Sequence, residues 1–218
     1  MVRNLGAENS LVNQYVAEIR DAEIQKDSMR FRRNFERLGE IVAYEISKEL
    51  EYEKKEIVTP LGVAEVPVLK KYPVLATILR AGLPLHQGLL NFFDGSENAF
   101  VSAYRYHYKD GQFDIRVEYT SSPDLNDKVL ILADPMLATG ASLVLTHKAL
   151  LEKGKPTHTH IVAIIASFQG VEYIKKNFLS KNTTLWVGAI DDELTAQAYI
   201  VPGLGDFGDR YFGTTDYI

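Results

Sequence analysis

The chain has no cysteine and a single tryptophan among its 218 residues. Without thiols it can build neither a disulfide framework nor a thiolate metal site, and such a chain fits a reducing cytoplasm, the expected compartment. No apolar run approaches the roughly 18 residues of a membrane-spanning segment. The opening MVRNLGAENS lacks the apolar centre of a secretory signal, so none is expected. Basic residues are the minority, 24 Lys and Arg against 29 Asp and Glu, for a formal net charge of −5. No dense basic run offsets that balance, so neither nucleic acid nor membrane is an expected partner. Internal repeats, low-complexity tracts and clear linkers are also missing.

What is present is a chain that is 46% hydrophobic and long enough for one large domain with its own core. Residues 28–50 place Phe31, Phe35, Leu38, Val42, Ile46 and Leu50 on one helical face, after a shorter helix around 11–20. Residues 56–66, with Pro60 and Gly62 at their centre, predict a β-hairpin. From there short apolar runs alternate with helical stretches. Strands are expected at 73–79, 99–108, 128–133, 160–167 and 184–190, and helices at 83–93, 142–153 and 170–179. An Asp-Gly turn at 110–111 predicts a second hairpin that projects from the domain. Alternation of this kind implies an α/β fold: a twisted parallel sheet flanked by helices, with ligands at the carboxyl ends of its strands.

One such end is informative. In KVLILADPMLATGAS the apolar run stops at Asp134-Pro135 and passes through Thr139-Gly140 into helical spacing near Ser142. A small-residue turn and a helix N-terminus present free N–H donors and a positive dipole end, which suit a phosphate. Asp134 cannot bind phosphate at neutral pH but accepts hydrogen bonds from sugar hydroxyls, so the pair points to a sugar phosphate. The bland alternative is an ordinary strand–helix loop with Ser142 as helix cap. Two rival phosphate motifs fail: Gly154-Lys155 is followed by Pro156, not Ser or Thr, and GLGDFG at 203–208 leaves no room for a dinucleotide-binding unit.

Three segments together are specific. DPMLATGAS at 134–142 resembles the phosphoribosyl diphosphate (PRPP) loop of uracil phosphoribosyltransferases. ILRAG at 78–82 resembles their pyrophosphate loop, and YIVPGLGDFGDRYFGT at 199–214 their uracil-binding segment. The resemblance implies a phosphoribosyltransferase-type fold in one domain: N-terminal helices and hairpin over 1–66, a PRPP-binding core over 67–198, and a base-binding hood over 199–218. It implies that Arg80, Arg105, Asp134, Pro135, Met136, Leu137, Ala138, Thr139, Gly140, Ala141, Ser142 and Asp206 bind PRPP. It also implies that Ile200, Gly205, Asp206 and Phe207 bind uracil, largely through backbone groups, and that Arg80 and Asp206 carry the catalytic roles. Mg²⁺ is the implied cofactor, held mainly through PRPP with no dedicated metal ligands. A homo-oligomer, a dimer or larger, is expected.

The chain departs from the family pattern twice. Ala141 replaces a common glycine, which would strain any conformation with positive φ. Phe207 replaces a small residue and would narrow the base pocket if it faced the base. A strained or cis peptide is expected around Arg80–Ala81, beside Gly82. The hairpin over 104–120 reads equally as a lid, an edge hairpin or a tyrosine-rich contact between subunits. His158 and His160 read as ordinary strand histidines rather than zinc ligands, and Asp191-Asp192-Glu193 as a solvated turn or helix start rather than a metal site. Two other functions compete with uracil transfer: a PRPP-fold regulator that senses nucleotides or binds RNA, and a transferase for another base. The Asp-Pro loop and the 199–214 segment favour uracil over both.

Overall fold

The computed structural model describes residues 1–107, 113–178 and 182–213, without the side chains of 104–107, 113–116 and 209. A short strand, Val2–Asn4 (β1), leads to the helix Leu11–Arg20 (α1). Ser10 caps α1 by accepting from the Val12 N–H, and Asn13 reciprocates at the Ser10 N–H. Asp27 caps the long helix Ser28–Ser47 (α2) through the Arg30 N–H. The predicted face of α2 is buried: Phe31, Phe35, Leu38, Val42 and Ile46. The helix ends three residues before the expected Leu50, which still packs against the same core.

Next come Tyr52–Thr59 (β2) and Gly62–Leu69 (β3), paired antiparallel from Tyr52↔Leu69 to Thr59↔Gly62. This hairpin is longer than the 56–66 expected. It forms a two-stranded sheet of its own, with Val58, Leu61 and Val63 exposed.

The main sheet collects Val74–Leu79 (β4), Asn98–His107 (β5), Phe113–Ser121 (β6), Val129–Ala133 (β7) and Met136–Leu137 (β8). His158–Ser167 (β9) and Thr183–Asp191 (β10) complete it. Its order is β1-β10-β9-β7-β4-β5-β6, with β8 pairing β9. Every pair is parallel except β5–β6. The Asp-Gly turn of the second hairpin lies outside the described residues; its two strands form an edge of this sheet. The crossover helices are Leu83–Phe92 (α3), Ala141–Leu151 (α4) and Phe168–Asn177 (α5).

Alternation along the central strands sends side chains to two cores. Leu75, Ile131, Ala133 and Val162 join α1, α2 and α3 on one face. Ala76, Leu130, Leu132, Ile161 and Ala163 join α4 and α5 on the other. Beyond β10 the chain forms Glu193–Leu194 (β11), paired antiparallel with Ile200–Val201 (β12), and then the helix Phe207–Phe212 (α6). The mainly parallel sheet with helices on both faces is the fold class the sequence predicts. No helix among the described residues is long and apolar enough to cross a membrane.

Candidate active site

The segment after β7 is held by backbone bonds along its whole length. The Asp134 N–H donates to the Val162 carbonyl (3.0 Å), and the Pro135 carbonyl accepts from Ile164 (3.0 Å) and Ile165 (3.1 Å). β8 then pairs with Ile165 and Ala166. Ser167 donates its hydroxyl to the Ala138 carbonyl (2.6 Å) and accepts from the Gly170 N–H (2.8 Å). A Cβ on Gly170 would lie 2.3 Å from that same Ala138 oxygen, so only glycine lets α5 come this close. The turn is therefore fixed before any ligand arrives.

Gly140 occupies the left-handed region (φ 81°) and caps α4 without a side-chain hydrogen bond. The helix starts at Ala141, so Ser142 lies inside its first turn and is not the cap. Positive φ falls on Gly140 and not on Ala141, which relieves the strain expected of an alanine at that place. Thr139 Oγ1 accepts from the Ala141 N–H at 3.4 Å. First-turn N–H groups of α4 that no cap side chain occupies form a ready anion cradle.

Asp134 opens the loop that leads to this cradle. It keeps part of its surface open, yet protein surrounds the carboxyl closely, and that burial pushes it up to about 7 against a weaker opposing bond from the Met136 N–H. A group poised there becomes a carboxylate when hydroxyl donors or a cation come beside it.

The second loop follows β4. The Leu79–Arg80 peptide is cis, one bond before the Arg80–Ala81 bond around which an unusual geometry is expected. Gly82 packs so tightly that a Cβ would lie 1.9 Å from Thr77 Oγ1 and 3.0 Å from the Ala133 carbonyl. Thr77 donates to that carbonyl (3.2 Å), which ties this turn to the end of β7, one residue before Asp134. Arg80 is exposed, and no carboxylate among the described residues pairs with it. Its guanidinium lies 5.1 Å from the centre of the Phe212 ring.

That contact brings in the third segment. Phe207 points away from the strand ends into the α2 core, its ring 4.9 Å from Phe35 and 5.9 Å from Phe31. It is 6% exposed, so its side chain packs into the core and anchors α6. Arg32 of α2 donates twice to the Tyr211 carbonyl, at 3.1 and 2.8 Å. Gly203 and Gly205 both have positive φ. Tyr199 donates its hydroxyl to Asp206 (3.1 Å). Met136 and Ala138 of the first loop pack against the cluster that holds Ile200, Leu204 and Phe207. The structure thus gathers Arg80, the 134–142 loop and the 200–212 segment at the carboxyl ends of the central strands β4 and β7. Arg105 lies on β5 opposite Ile115, with its side chain outside the described residues.

Other features resolve differently. Asp191 is no solvated turn residue: it is buried at the end of β10 and ion-paired with Arg20, Nη2 to Oδ1 at 2.7 Å. It ends its strand as Asp134 follows β7, a signal available in the sequence. The anchoring roles of Arg32 and Ser167 have no such signal. His158 and His160 open β9 and are bonded to β10: His158 Nε2 lies 3.0 Å from Thr184 Oγ1, and His160 Nδ1 accepts from the Trp186 indole at 3.1 Å. Burial holds His160 down to about 3. A cavity of about 610 Å³ between the N-terminal segment and α2, lined by Ser10, Lys48 and Trp186 among others, includes none of the expected site residues.

Known proteins resemble this chain over most of its length. Residues 7–214 match the family model for uracil phosphoribosyltransferase. The uracil phosphoribosyltransferase of Porphyromonas gingivalis is 58% identical over 213 residues, covering 97% of this chain and 98% of that protein. Its counterpart in Methanococcus maripaludis is 40% identical over 193 residues, 87% of this chain and 81% of that one. A solved protein structure from Aquifex aeolicus superposes with a TM-score of 0.86 over the whole of both chains, at 29% identity. The chain belongs to the uracil phosphoribosyltransferase family.

Proposed function

We propose that the protein transfers the 5-phosphoribosyl group of PRPP to uracil, giving UMP and diphosphate. The observation that carries this reading is the convergence, at the carboxyl ends of β4 and β7, of an anion cradle at α4, an Arg80 with no carboxylate partner among the described residues and a glycine-rich backbone segment. In the reaction the bond from C1 of ribose to the diphosphate breaks and a bond from C1 to N1 of uracil forms, with loss of the N1 proton. Positive charge grows on the ribose and negative charge on the leaving group. Catalysis then rests on positioning and on charge placed in advance.

The N–H groups of Thr139 to Ser142 receive the 5-phosphate, and Asp134 accepts from the ribose hydroxyls. Arg80 and Arg105 take the diphosphate in forked hydrogen bonds. Backbone groups of Ile200, Gly205 and Phe207 read the edge of the base, while Asp206 sets the distance between the base and C1. Among the described residues no three His, Asp or Glu groups converge on a metal. A single loop acid fits a Mg²⁺ ion carried mainly by the substrate's own oxygens, with Asp134 and water beside it. When bound, the ion neutralises charge on the diphosphate. In this reading one domain divides its labour: helices and hairpin over 1–66, PRPP binding over 67–198 and base binding over 199–218. It acts in the cytoplasm as a dimer or larger.

The test is direct. The protein is incubated with PRPP, Mg²⁺ and each free base, and the products are separated by chromatography. UMP is the expected product, with cytosine, thymine and purines far poorer. A better reaction with hypoxanthine or guanine would overturn the assignment.

A further inference from the structure

We infer that Arg20 and Asp191, which no motif of the site contains, are positioning residues that set uracil selection by clamping the base-reading segment at Gly203. This rests on the reading of 200–207 as the base-binding segment. Asp191 is 7% exposed and takes Arg20 in a fork, Nη1 to Oδ2 at 2.8 Å and Nη2 to Oδ1 at 2.7 Å. Both partners also hold one peptide residue. Arg20 Nη1 donates to the Gly203 carbonyl at 2.9 Å, and the Gly203 N–H donates to Asp191 Oδ2 at 2.9 Å. The donor and the acceptor of a single loop residue are thus fixed by one ion pair that spans α1 and β10.

Gly203 is a sensitive place to grip. Its φ is +58°, and a Cβ there would lie 2.1 Å from the Ile200 carbonyl. The turn is folded tightly onto Ile200, and Gly205 follows two residues later. A base read by backbone groups is discriminated only as well as those groups are held. Uracil and cytosine differ in which edge atoms donate, so a slack loop loses that discrimination first. Stability alone is a weak rationale for the pair, because desolvating two charges offsets much of their attraction. The bonds to Gly203 give it a purpose that a packed apolar pair could not supply.

The experiment compares wild type with Arg20→Lys, Asp191→Asn and the exchanged pair Arg20→Asp/Asp191→Arg. Uracil KM, the uracil-to-cytosine ratio of kcat/KM, PRPP Kd by calorimetry without base, and melting temperature are measured on each. The single variants are expected to raise uracil KM at least tenfold and to lower the uracil-to-cytosine ratio, with PRPP Kd within twofold of wild type. The exchanged pair restores opposite charges but cannot restore both Gly203 bonds, since Arg accepts nothing at the N–H and Asp donates nothing to the carbonyl. Its uracil KM therefore stays raised even where its melting temperature recovers. Unchanged uracil KM and selectivity in a destabilised variant would reduce the pair to a structural tie and overturn the inference. Parallel loss of PRPP and uracil binding would overturn it as well. Arg20→Lys, the mildest change, decides the matter if the others do not fold. A wild-type protein that makes no UMP fails the functional reading itself, a separate result.

Discussion

At the scale of single residues, Asp134 makes a measurable trade between stability and binding. Its ordinary value of 3.8 is pushed up to about 7 in the folded protein by burial. The folded chain therefore holds a proton between pH 4 and 7 that the unfolded chain has lost. Stability from this group falls as pH rises through that window and stays low above it. Partial solvent access discounts the effect to about 1–3 kcal/mol. Asp134→Asn is expected to raise the melting temperature at pH 8 and to leave it unchanged at pH 4, with kcat/KM for PRPP much reduced. In wild type kcat/KM for PRPP is expected to rise through an apparent pKa near 7, because ribose hydroxyls donate to the carboxylate. A flat profile from pH 6 to 8 would take Asp134 out of the ribose site. Glu18 shows the opposite sign. Its bond with Arg30, aided by Gln14 and Asn34, holds it at about 2, so its contribution is complete above pH 4.5 and is lost as pH falls toward 2. Glu18 is buried between α1 and α2, where a charge needs its three partners.

At the scale of elements, α6 is a six-residue helix too short to be stable by itself, so α2 must hold it. Phe207 enters the Phe31–Phe35 cluster, and Arg32 binds the last-turn carbonyl of Tyr211. Removing a buried Phe side chain typically costs about 3–5 kcal/mol. Here a terminal helix can detach instead of unfolding the whole chain, so the loss is local. Phe207→Ala is expected to lower the melting temperature modestly, to abolish hydrogen-exchange protection over 207–212 and to raise uracil KM. Phe207→Leu should recover most of it. A Phe207→Ala variant with full protection and normal uracil KM would contradict the anchoring role. The 199–214 resemblance marked this segment for function, but a helix within it was not expected. The direction of Phe207 was not legible either, because a lone aromatic among glycines has no periodicity to show which face it turns to the core. Likewise the small-residue turn at 139–142 was legible, but Gly140 as the true cap depends on dihedral angles that composition does not reveal.

At the scale of the whole molecule, the β2–β3 hairpin stands apart from the main sheet, and a two-stranded hairpin is marginal in water. Its paired Val58 and Val63, together with Leu61 at the turn, present apolar surface. A second copy is expected to cover this surface in the proposed oligomer. Sedimentation of wild type is expected to give a dimer or larger, and Val58→Lys with Val63→Lys to shift the population toward monomer. A monomeric wild type at micromolar concentration would refute it.

The sequence by itself determined the longer helices, the central strands and the chemistry at their ends. Helical spacing over 28–50, apolar runs at the strands, the acid after β7 and the glycine turn before α4 are local signals, set by side-chain sterics and backbone hydrogen bonding over a few residues. Only the tertiary structure decided which ends meet. Arg20 and Asp191 are 171 residues apart, and Arg32 and Tyr211 are 179 apart. Their meeting follows from the strand order β1-β10-β9-β7-β4-β5-β6 and from the burial of α1 and α2 on one face. Strand order is set by packing of the whole chain, so no window of sequence carries it. The same packing surrounds the Asp134 carboxyl with protein and so moves its proton affinity toward neutrality.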